Sequence, residues 1–346
     1  MSGATDRLWG IILAGGDGQR LRPFIRSHLG LERPKQYCAL LGTRSMLRHT
    51  IARAERLIPH DRLLTVVTRH HLDYARQELH DRHPETVIVQ PMNRDTGPGI
   101  LLPLLHIYQR DPEAVVALLP SDHFISEEDR FMASVEAAAS FAAAYPVRPI
   151  LLGVEPDRSE TQYGWIEAGE VIGQRGEREL HLVKRFWEKP DLQTANSLYL
   201  NGCLWNTMVL VGQAGALLSL FVTLTPRLFV ALYRLCSSCD RSRHAEVLEE
   251  VYSTLPSVNF SQAILARCSQ RLGVLPVKGI YWNDWGNPEQ VRQDIARFGS
   301  RRGTWRLTER ELAPEEISVT HTEATRGLAD GKEEKEDELI AHAGAR

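Results

Sequence analysis

A glycine-rich turn near the N-terminus has the residue types of a phosphate-binding site. An apolar run passes here into glycines that lack a Cβ, so backbone N–H groups can approach phosphate oxygens closely. The candidate nucleotide-binding residues of this turn are Leu13, Ala14, Gly15, Gly16 and Gly18. Two cations follow, Arg20 and Lys35, and both can offset phosphate charge. We therefore predict a triphosphate cradle, with Arg20 and Lys35 as catalytic residues.

Two commoner phosphate loops do not fit this turn. A P-loop needs a lysine directly after a glycine, whereas Gln19 follows Gly18. The dinucleotide-binding fingerprint needs a third glycine where Leu21 is found, and an acidic residue after the second strand, where Arg69 is found. The turn is therefore not typical of a nicotinamide-dependent oxidoreductase.

Two aspartates are candidate metal ligands. Asp122 follows an apolar stretch that ends at Pro120, and ligands of open α/β sheets bind outside the carboxyl ends of the strands. Asp284 lies between two tryptophans and precedes Gly286. We predict that Asp122 and Asp284 hold Mg²⁺, which takes one or two carboxylates while substrate phosphates fill other positions. The alternative for both is a turn or helix-capping aspartate.

A Glu-Lys pair follows the apolar stretch that ends at Trp187 and precedes Pro190. Glu188 can accept hydrogen bonds from vicinal sugar hydroxyls, and Lys189 supplies a point charge for a sugar phosphate. The alternative is a solvated surface pair, which is the commoner case for such residues. The position directly after a strand favours the functional interpretation.

Other metal-ligating residue types carry weaker signals. Cys236 and Cys239 have the spacing of a metal or redox pair, but no second pair accompanies them, so we interpret them as ordinary helix or core residues. His70 and His71 lie in a polar stretch, and we expect them to be solvated.

The segments described above, taken together, resemble a known family. The pattern Gly-Gly-x-Gly-x-Arg-Leu-x-Pro at 15–23, followed by Pro34-Lys35-Gln36, resembles the signature of the sugar-1-phosphate nucleotidylyltransferases. The Pro-Lys-Gln form favours the mannose-1-phosphate guanylyltransferase branch. Asp122 within Pro-Ser-Asp-His and Asp284 within Asp-x-Gly agree with the family pattern. The resemblance implies Mg²⁺-dependent nucleotidyl transfer from GTP to mannose-1-phosphate, giving GDP-mannose and pyrophosphate.

The same resemblance implies further site residues. Gln90 begins a Gln-Pro-x-Asn-Arg stretch that lies beside the nucleobase in the guanylyltransferase branch, so it is the candidate base contact. The implied sugar-phosphate-binding residues are Gly164, Glu188, Lys189 and Asn206. Met208 replaces a glycine that is usual in the family, and Trp285 replaces a smaller apolar residue. We expect both departures to fall on the acceptor half, with Met208 reshaping the sugar pocket.

Alternatives are open for the nucleoside triphosphate, for the sugar phosphate and for catalysis itself. UTP, dTTP or ATP could replace GTP, and a glucose or heptose phosphate could replace mannose-1-phosphate. A third alternative is a weakly active paralogue that senses a nucleotide-sugar and regulates a partner. Retention of the cations and both aspartates argues against it. No general base is needed for transfer, because a phosphate monoester has a second pKa of about 6 and attacks as an anion.

Apolar runs alternate with helical stretches, which is typical of α/β proteins. We predict a Rossmann-like mixed, mostly parallel sheet flanked by helices, as in the nucleotide-diphospho-sugar transferase fold that the resemblance implies. The predicted strands are Trp9–Ala14, Leu63–Thr68, Val87–Gln90, Ala114–Pro120, Ile150–Val154, Trp165–Ala168, Leu180–Trp187, Leu204–Val211 and Leu272–Pro276. The predicted helices are Ser45–Leu57, His71–His80, Gly99–Gln109, Arg130–Ala144, Gln213–Leu235 with a break near Pro226, and Pro288–Phe298.

Composition predicts domain organisation and partners. Residues 1–300 are the predicted catalytic domain, with a nucleotide part at 1–150 and a sugar-phosphate part at 151–300, and 301–346 is a charged, flexible tail. A net charge of −3 without a basic-aromatic cluster predicts no nucleic-acid partner. The N-terminus lacks the layout of a signal peptide, so we expect a cytoplasmic protein with no membrane partner. A homodimer is left open.

Overall fold

The structure is a computed structural model that describes residues 6–237 and 244–298. Cys239 and the predicted tail at 301–346 lie outside these ranges. Within the described ranges, no helix is both long enough and apolar enough to cross a membrane.

The elements are as follows. The strands are β1 (Leu8–Leu13), β2 (Leu63–Thr68), β3 (Val87–Gln90), β4 (Val115–Pro120), β5 (Phe124–Ile125), β6 (Ile150–Val154), β7 (Gly164–Arg175), β8 (Arg178–Glu188), β9 (Leu204–Gln213), β10 (Gly273–Val277) and β11 (Trp282–Asn283). The α-helices are α1 (Arg22–Leu29), α2 (Met46–Ala54), α3 (Leu72–Glu78), α4 (Thr96–Arg110), α5 (Glu128–Ala144), α6 (Leu192–Leu200), α7 (Ala214–Leu224), α8 (Pro226–Ser237), α9 (His244–Thr254), α10 (Phe260–Ala263) and α11 (Pro288–Phe298). Short 3-10 helices cover Gln19–Leu21, Lys35–Tyr37, His60–Arg62, Arg69–His71, Pro84–Thr86, Leu265–Arg267 and Ser269–Arg271.

A nine-stranded sheet of order β3-β2-β1-β4-β9-β6-β10-β8-β7 forms the centre of the fold. β1 pairs in parallel with β2 and β4, β2 with β3, and β6 with β10. β9 is antiparallel to β4 and β6, and β8 is antiparallel to β10 and β7. Over the described residues, β8 and β9 therefore run against the direction that the other strands of this sheet share. The prediction of a mixed, mostly parallel sheet flanked by helices is confirmed.

Differences from the predicted elements lie mainly in the second half. The predicted strand at 165–168 is part of the longer β7, whose distal arm is largely exposed and so lacks a continuous apolar run. The predicted helix at 213–235 is two helices, α7 and α8, which meet at the predicted break near Pro226. The helices α1, α6, α9 and α10 were not predicted, because each is short and only partly apolar.

The central strands are apolar along their length because helices cover both faces of the sheet. In β1, Leu8 and Ile12 belong to the buried cluster on one face, while Trp9 and Ile11 belong to the cluster on the other. This period of two explains the unbroken apolar run before the glycine turn. The turn therefore emerges from a strand that is fixed on both sides.

A third buried cluster joins distant parts of the chain beside the glycine turn. Its members are Leu21, Phe24, Ile25, Cys38, Leu40, Leu41, Met46, Trp285 and Val291. These residues come from the 3-10 helix Gln19–Leu21, α1, the segment after Lys35, the start of α2, the loop after β11, and α11. The cluster thereby holds the loop that carries Asp284 against the segment that carries Lys35.

A buried arginine supports the turn after β4. Arg53 is only 3% exposed, and its Nη1 lies 3.6 Å from Glu128 Oε1 at the start of α5. Its Nη2 donates to Thr50 Oγ1 at 2.6 Å and to the carbonyl oxygen of His123 at 3.3 Å. Burial lowers the pKa of Arg53 to about 10, although Glu128 opposes the shift. This network links α2 and α5 to the turn that carries Asp122.

Replacing Glu128 removes the charge that balances the buried Arg53 guanidinium. We expect Glu128→Gln to lower the free energy of unfolding by about 3 kcal/mol, because one partner of a buried ion pair is then left uncompensated. Urea titration followed by circular dichroism measures this loss. Asp129→Asn is the control, since Asp129 pairs with Arg56 at 2.7 Å but is 94% exposed. We expect the control to change stability by less than about 0.5 kcal/mol. Equal losses would contradict the role assigned to Glu128.

Candidate active site

A cavity of about 460 Å³ opens at the carboxyl ends of β1 to β4. This is the edge of an open α/β sheet at which ligands bind. Its lining residues are Leu13, Gly15, Gly16, Asp17, Gln36, Val66, Gln90, Asn93, Asp95, Thr96, Gly99, Pro120, Ser121, Asp122, His123, Met208 and Ser257. The structure therefore brings part of the predicted glycine turn, Gln90 and Asp122 to one cavity. Ala14 and Gly18 belong to the same turn but are not among the lining residues.

The three glycines of the turn are constrained for different reasons. Gly18 has φ +57°, and a Cβ there would lie 3.1 Å from the Lys35 nitrogen. A Cβ at Gly15 would lie 3.2 Å from Gln90 Nε2. A Cβ at Gly16, which lines the cavity, would meet no protein atom within 4 Å. Among these three glycines, Gly16 is therefore the one at which the surrounding protein leaves room for a side chain.

Buried side chains hold the backbone of the turn in place. Gln36 Nε2 donates to the carbonyl oxygens of Ala14 at 3.0 Å and Gly16 at 2.6 Å. The Tyr37 hydroxyl also donates to the Ala14 oxygen, at 3.0 Å. Both side chains are almost fully buried, and burial raises the pKa of Tyr37 above its ordinary value, so this donor stays protonated. Sequence reasoning assigned no role to Gln36 or Tyr37, because their burial depends on the folded turn.

Lys35 links the two segments that carry the predicted metal ligands. The side chain is 8% exposed, and its Nζ lies 3.1 Å from Asp122 Oδ2. The same ammonium donates to the carbonyl oxygen of Asp284 and, at 3.3 Å, to that of Trp285. Burial raises the pKa of Asp122, but the charge of Lys35, the hydrogen bond from Lys35 and smaller contributions together outweigh burial, so the pKa is lowered. Asp122 is therefore ionised at neutral pH.

Asp284 and Arg20 complete the charged group. Asp284 Oδ1 accepts a hydrogen bond from the Gly286 nitrogen at 2.7 Å, and its Oδ2 lies 3.6 Å from Arg20 Nη2. His123 lies within electrostatic range of both aspartates, yet burial lowers its pKa to about 4, so its imidazole is neutral at neutral pH. The structure brings Arg20, Lys35, Asp122 and Asp284 together.

The two aspartates fit the donor chemistry of Mg²⁺. Both present carboxylate oxygens, and both side chains keep partial solvent access, with 32% of Asp122 and 17% of Asp284 exposed. Mg²⁺ retains waters and combines one or two carboxylates with phosphate oxygens, so an open carboxylate pair suits it better than a closed cage. Asp122 and Asp284 could therefore supply carboxylate ligands to such an ion, and the Lys35 ammonium contacts the carboxylate of the first and the backbone oxygen of the second.

A buried aspartate positions the loop that carries Asp284. Asp294 on α11 accepts hydrogen bonds from Trp285 Nε1 at 2.8 Å, Asn283 Nδ2 at 3.1 Å and the Tyr281 hydroxyl at 2.6 Å. Trp285 has φ +47°, a strained conformation for a non-glycine residue, and its indole stacks on Phe124 with ring centroids 4.9 Å apart. Trp285 is not among the residues that line the cavity. The residue is buried in the third cluster, where it supports Asp284.

The predicted sugar-phosphate residues also converge. Gly164 pairs with Glu188 across β7 and β8, and a Cβ at Gly164 would lie 3.2 Å from Glu188 Oε2 and 3.2 Å from Asn206 Cβ. Lys189 follows with φ +48°, and its nitrogen donates to the Tyr163 oxygen at 3.2 Å. Burial raises the pKa of Glu188, Lys189 opposes the shift, and Asp95 adds to it. Because Asp95 lines the cavity, this cluster adjoins the cavity.

Met208 is one of the residues that line the cavity. Its φ is +58°, a backbone conformation that favours glycine. The Met208 nitrogen donates to Asn206 Oδ1 at 3.1 Å, and the Ser261 hydroxyl donates to Met208 Sδ at 3.1 Å. The chain therefore keeps a glycine-type backbone here but places a thioether in the cavity.

A histidine pair lies at the rim of the cavity beside Asp17. The expectation that both histidines are solvated is wrong for His71, which is only 2% exposed and packs edge-on against Tyr37. Burial, with a contribution from His70, lowers the pKa of His71 to about 4. His70 is half-exposed, and its Nε2 lies 2.9 Å from Asp17 Oδ1. A polar surrounding sequence did not reveal that one histidine of the pair turns inward.

Removing the Asp294 carboxylate leaves three donors without their acceptor. We expect Asp294→Ala to lower the free energy of unfolding by about 2–4 kcal/mol, because buried donors that lose their partners keep their desolvation cost. Gln293→Ala is the control on the same helix, since Gln293 is exposed. Urea titrations of both variants measure the difference. A loss shared equally by the control would show that α11, and not the Asp294 carboxylate, is responsible.

Comparisons with known proteins match most of the chain. The profile of the nucleotidyl transferase family matches residues 9–297. A mannose-1-phosphate guanylyltransferase of Escherichia coli K12 is 30% identical over 289 residues, which are 82% of this chain and 59% of that protein. The xanthan biosynthesis protein XanB of Xanthomonas campestris is 30% identical over 281 residues, which are 80% of this chain and 57% of that protein. The chain thus spans less than two thirds of the length of these relatives.

Solved structures share the fold. A Thermus thermophilus protein described as a mannose-1-phosphate geranyltransferase is 26% identical, with a TM-score of 0.69 over 81% of this chain and 77% of that one. A UDP-glucose pyrophosphorylase in complex with UDP-glucose is 14% identical, with a TM-score of 0.50 over 85% of this chain and 98% of that one. The second likeness concerns the fold alone.

Proposed function

We propose that this chain, which belongs to the nucleotidyl transferase family, transfers a guanylyl group from GTP to mannose-1-phosphate. The products are GDP-mannose and pyrophosphate. The observation that carries the proposal is the arrangement around Lys35, whose buried ammonium lies against Asp122 and the Asp284 loop at the mouth of a cavity of about 460 Å³. The similarity to mannose-1-phosphate guanylyltransferases supports the choice of substrates.

The reaction needs positioning more than proton transfer. An oxygen of the sugar phosphate, already anionic at neutral pH, forms a bond to the α-phosphorus of GTP. The bond from that phosphorus to the bridging oxygen breaks, and pyrophosphate leaves with the electron pair. No base is required, which agrees with a neutral His123 beside the aspartates. Holding the two anions in line can contribute about 7–11 kcal/mol.

Each part of the site has a role in this positioning. The backbone of the glycine turn approaches the triphosphate, and Arg20 and Lys35 offset its charge. Lys189 and the Gly164–Glu188–Asn206 cluster receive the sugar phosphate. Mg²⁺ on Asp122 and Asp284 would supply positive charge for the α-phosphate and the departing pyrophosphate.

Gln90 is suited to contact the base. Its Oε1 accepts a hydrogen bond from the buried Tyr252 hydroxyl at 3.1 Å. The amide nitrogen is thereby directed toward Gly15 and Gly99, where a Cβ would lie 3.2 Å and 3.4 Å from it. An N–H donor in this place matches the O6 and N7 acceptors of guanine.

The alternative functions differ in which nucleotide and sugar phosphate, if any, the protein converts. The Met208 side chain occupies space in the cavity wall that a glycine would leave free. Sugar phosphates other than mannose-1-phosphate should therefore also be tested as acceptors. Pyrophosphate release should therefore be measured with Mg²⁺ for GTP, UTP, dTTP and ATP, each with mannose-, glucose- and heptose-1-phosphate. Release confined to GTP and mannose-1-phosphate is the expected result. Binding of nucleotide-sugar without any turnover would favour the regulatory alternative.

Variants of the charged group test the proposed mechanism. We expect Lys35→Ala and Asp122→Asn each to lower kcat at least about a hundredfold, because each removes charge stabilisation in the transition state. Lys184→Ala is the matched control, since Lys184 is 67% exposed and pairs with Glu167 on the neighbouring strand. Turnover close to that of the unaltered protein in either site variant would contradict its assigned role.

A substitution at Gly16 is expected to weaken ligand binding without changing the stability of the fold. We expect Gly16→Ala to change the free energy of unfolding by less than about 0.5 kcal/mol, because the new methyl meets no protein atom. The methyl would displace the triphosphate and remove one charge-assisted hydrogen bond, weakening GTP binding about ten- to a hundredfold. Isothermal titration calorimetry measures the affinity. Gly215→Ala, at an exposed helix position, is the control and should leave GTP affinity unchanged.

A further inference from the structure

Three metal-ligating side chains meet at the rim of the cavity, apart from Asp122 and Asp284. Asp17 belongs to the glycine turn, and His70 and His71 lie in the 3-10 helix after β2. Asp17 Oδ1 lies 2.9 Å from His70 Nε2 and 3.5 Å from His71 Nε2. All three ligand atoms lie within 4.8 Å of one another.

These separations match those around a tetrahedral ion. Zinc binds imidazole nitrogen and carboxylate oxygen at about 2.0–2.2 Å, so two ligands of a tetrahedral site are about 3.3 Å apart. The distances of 2.9 and 3.5 Å lie on either side of that value. The two separations that involve Asp17 are therefore compatible with ligands of one ion, and the ligand atoms of the two histidines lie within 4.8 Å of each other.

The inner histidine is an independent sign of a missing ligand. His71 is 2% exposed, yet its Nε2 has no hydrogen-bond partner among the described residues. Its other nitrogen, Nδ1, lies 2.8 Å from Thr68 Oγ1. When that nitrogen carries the proton and donates to Thr68, Nε2 directs a lone pair toward Asp17. A metal-bound histidine usually donates its second ring N–H in this way.

The carboxylate is oriented for the same purpose. Asn93 Nδ2 donates to Asp17 Oδ2 at 3.1 Å. Its other oxygen, Oδ1, is left to face both histidines. Such a hydrogen bond to the outer oxygen of a ligating carboxylate is a usual second contact in metal sites.

We propose that Asp17, His70 and His71 bind a divalent transition-metal ion of the zinc class. Two imidazoles and one carboxylate suit zinc and its neighbours better than magnesium, which prefers oxygen ligands alone. Three protein ligands leave one coordination position open, and since Asp17 lines the cavity, that position faces the cavity. The ion fastens the glycine turn to the segment after β2.

Cobalt(II) absorption tests the site directly on the full chain, without substrates. We expect one Co²⁺ to bind in the presence of excess Mg²⁺, with the visible d–d bands of a tetrahedral nitrogen–oxygen site, and Zn²⁺ to displace it. His70→Ala should weaken binding at least about tenfold, the lower bound for loss of a mere outer contact. His70 is half-exposed, so the variant should fold.

Two variants complete the test. Asp17→Asn should also weaken Co²⁺ binding, while His60→Ala, which removes an exposed histidine elsewhere, should leave it unchanged. A near-ultraviolet thiolate-to-cobalt band would place the ion on cysteines and overturn the proposal. Equal affinity in His70→Ala and the unaltered protein would overturn it as well, and so would the absence of d–d bands at millimolar Co²⁺.

Discussion

The rest of the site depends on one buried ammonium. Lys35 is 6% exposed, and a charge in such a place must be compensated. Its Nζ contacts Asp122 at 3.1 Å and the backbone oxygen of Asp284. One contact belongs to the edge of the sheet and the other to a loop more than 240 residues later in the chain. A single ammonium therefore joins distant segments of the chain at the site and contributes to the lowered pKa of Asp122.

Two buried charged side chains, Arg53 and Asp294, hold in place the two segments that Lys35 contacts. Arg53 donates to the carbonyl oxygen of His123 and so supports the turn that carries Asp122. Asp294 accepts three hydrogen bonds from the loop that carries Asp284. Both supports are buried polar groups whose partners are satisfied, an arrangement that holds geometry more firmly than apolar contact does. The charged groups of the site are therefore already oriented before two polyanionic substrates would be brought together here.

The sequence predicted what depends on local pattern. The strand before Gly15, the strand before Asp122 and the mixed sheet all follow from apolar runs and their turns, and the structure confirms them as elements. Gln36, Asp294 and the inward turn of His71 could not be predicted, because a single polar residue reveals its burial only through its tertiary partners. Trp285 shows the same limit: its place beside Asp284 in the sequence did not reveal that its indole is buried in the third cluster.

Met208 adopts a backbone conformation that favours glycine. A non-glycine residue in the left-handed region costs about 1–2 kcal/mol and persists only where its surroundings hold it. Here Asn206 accepts from the Met208 nitrogen, and Ser261 donates to its sulfur. The glycine turn, by contrast, keeps each glycine that its geometry requires. Asp95 and Trp285 also have positive φ, so left-handed backbone occurs beside the charged group around Lys35 as well as beside Asn206, and in each place specific side-chain contacts hold it.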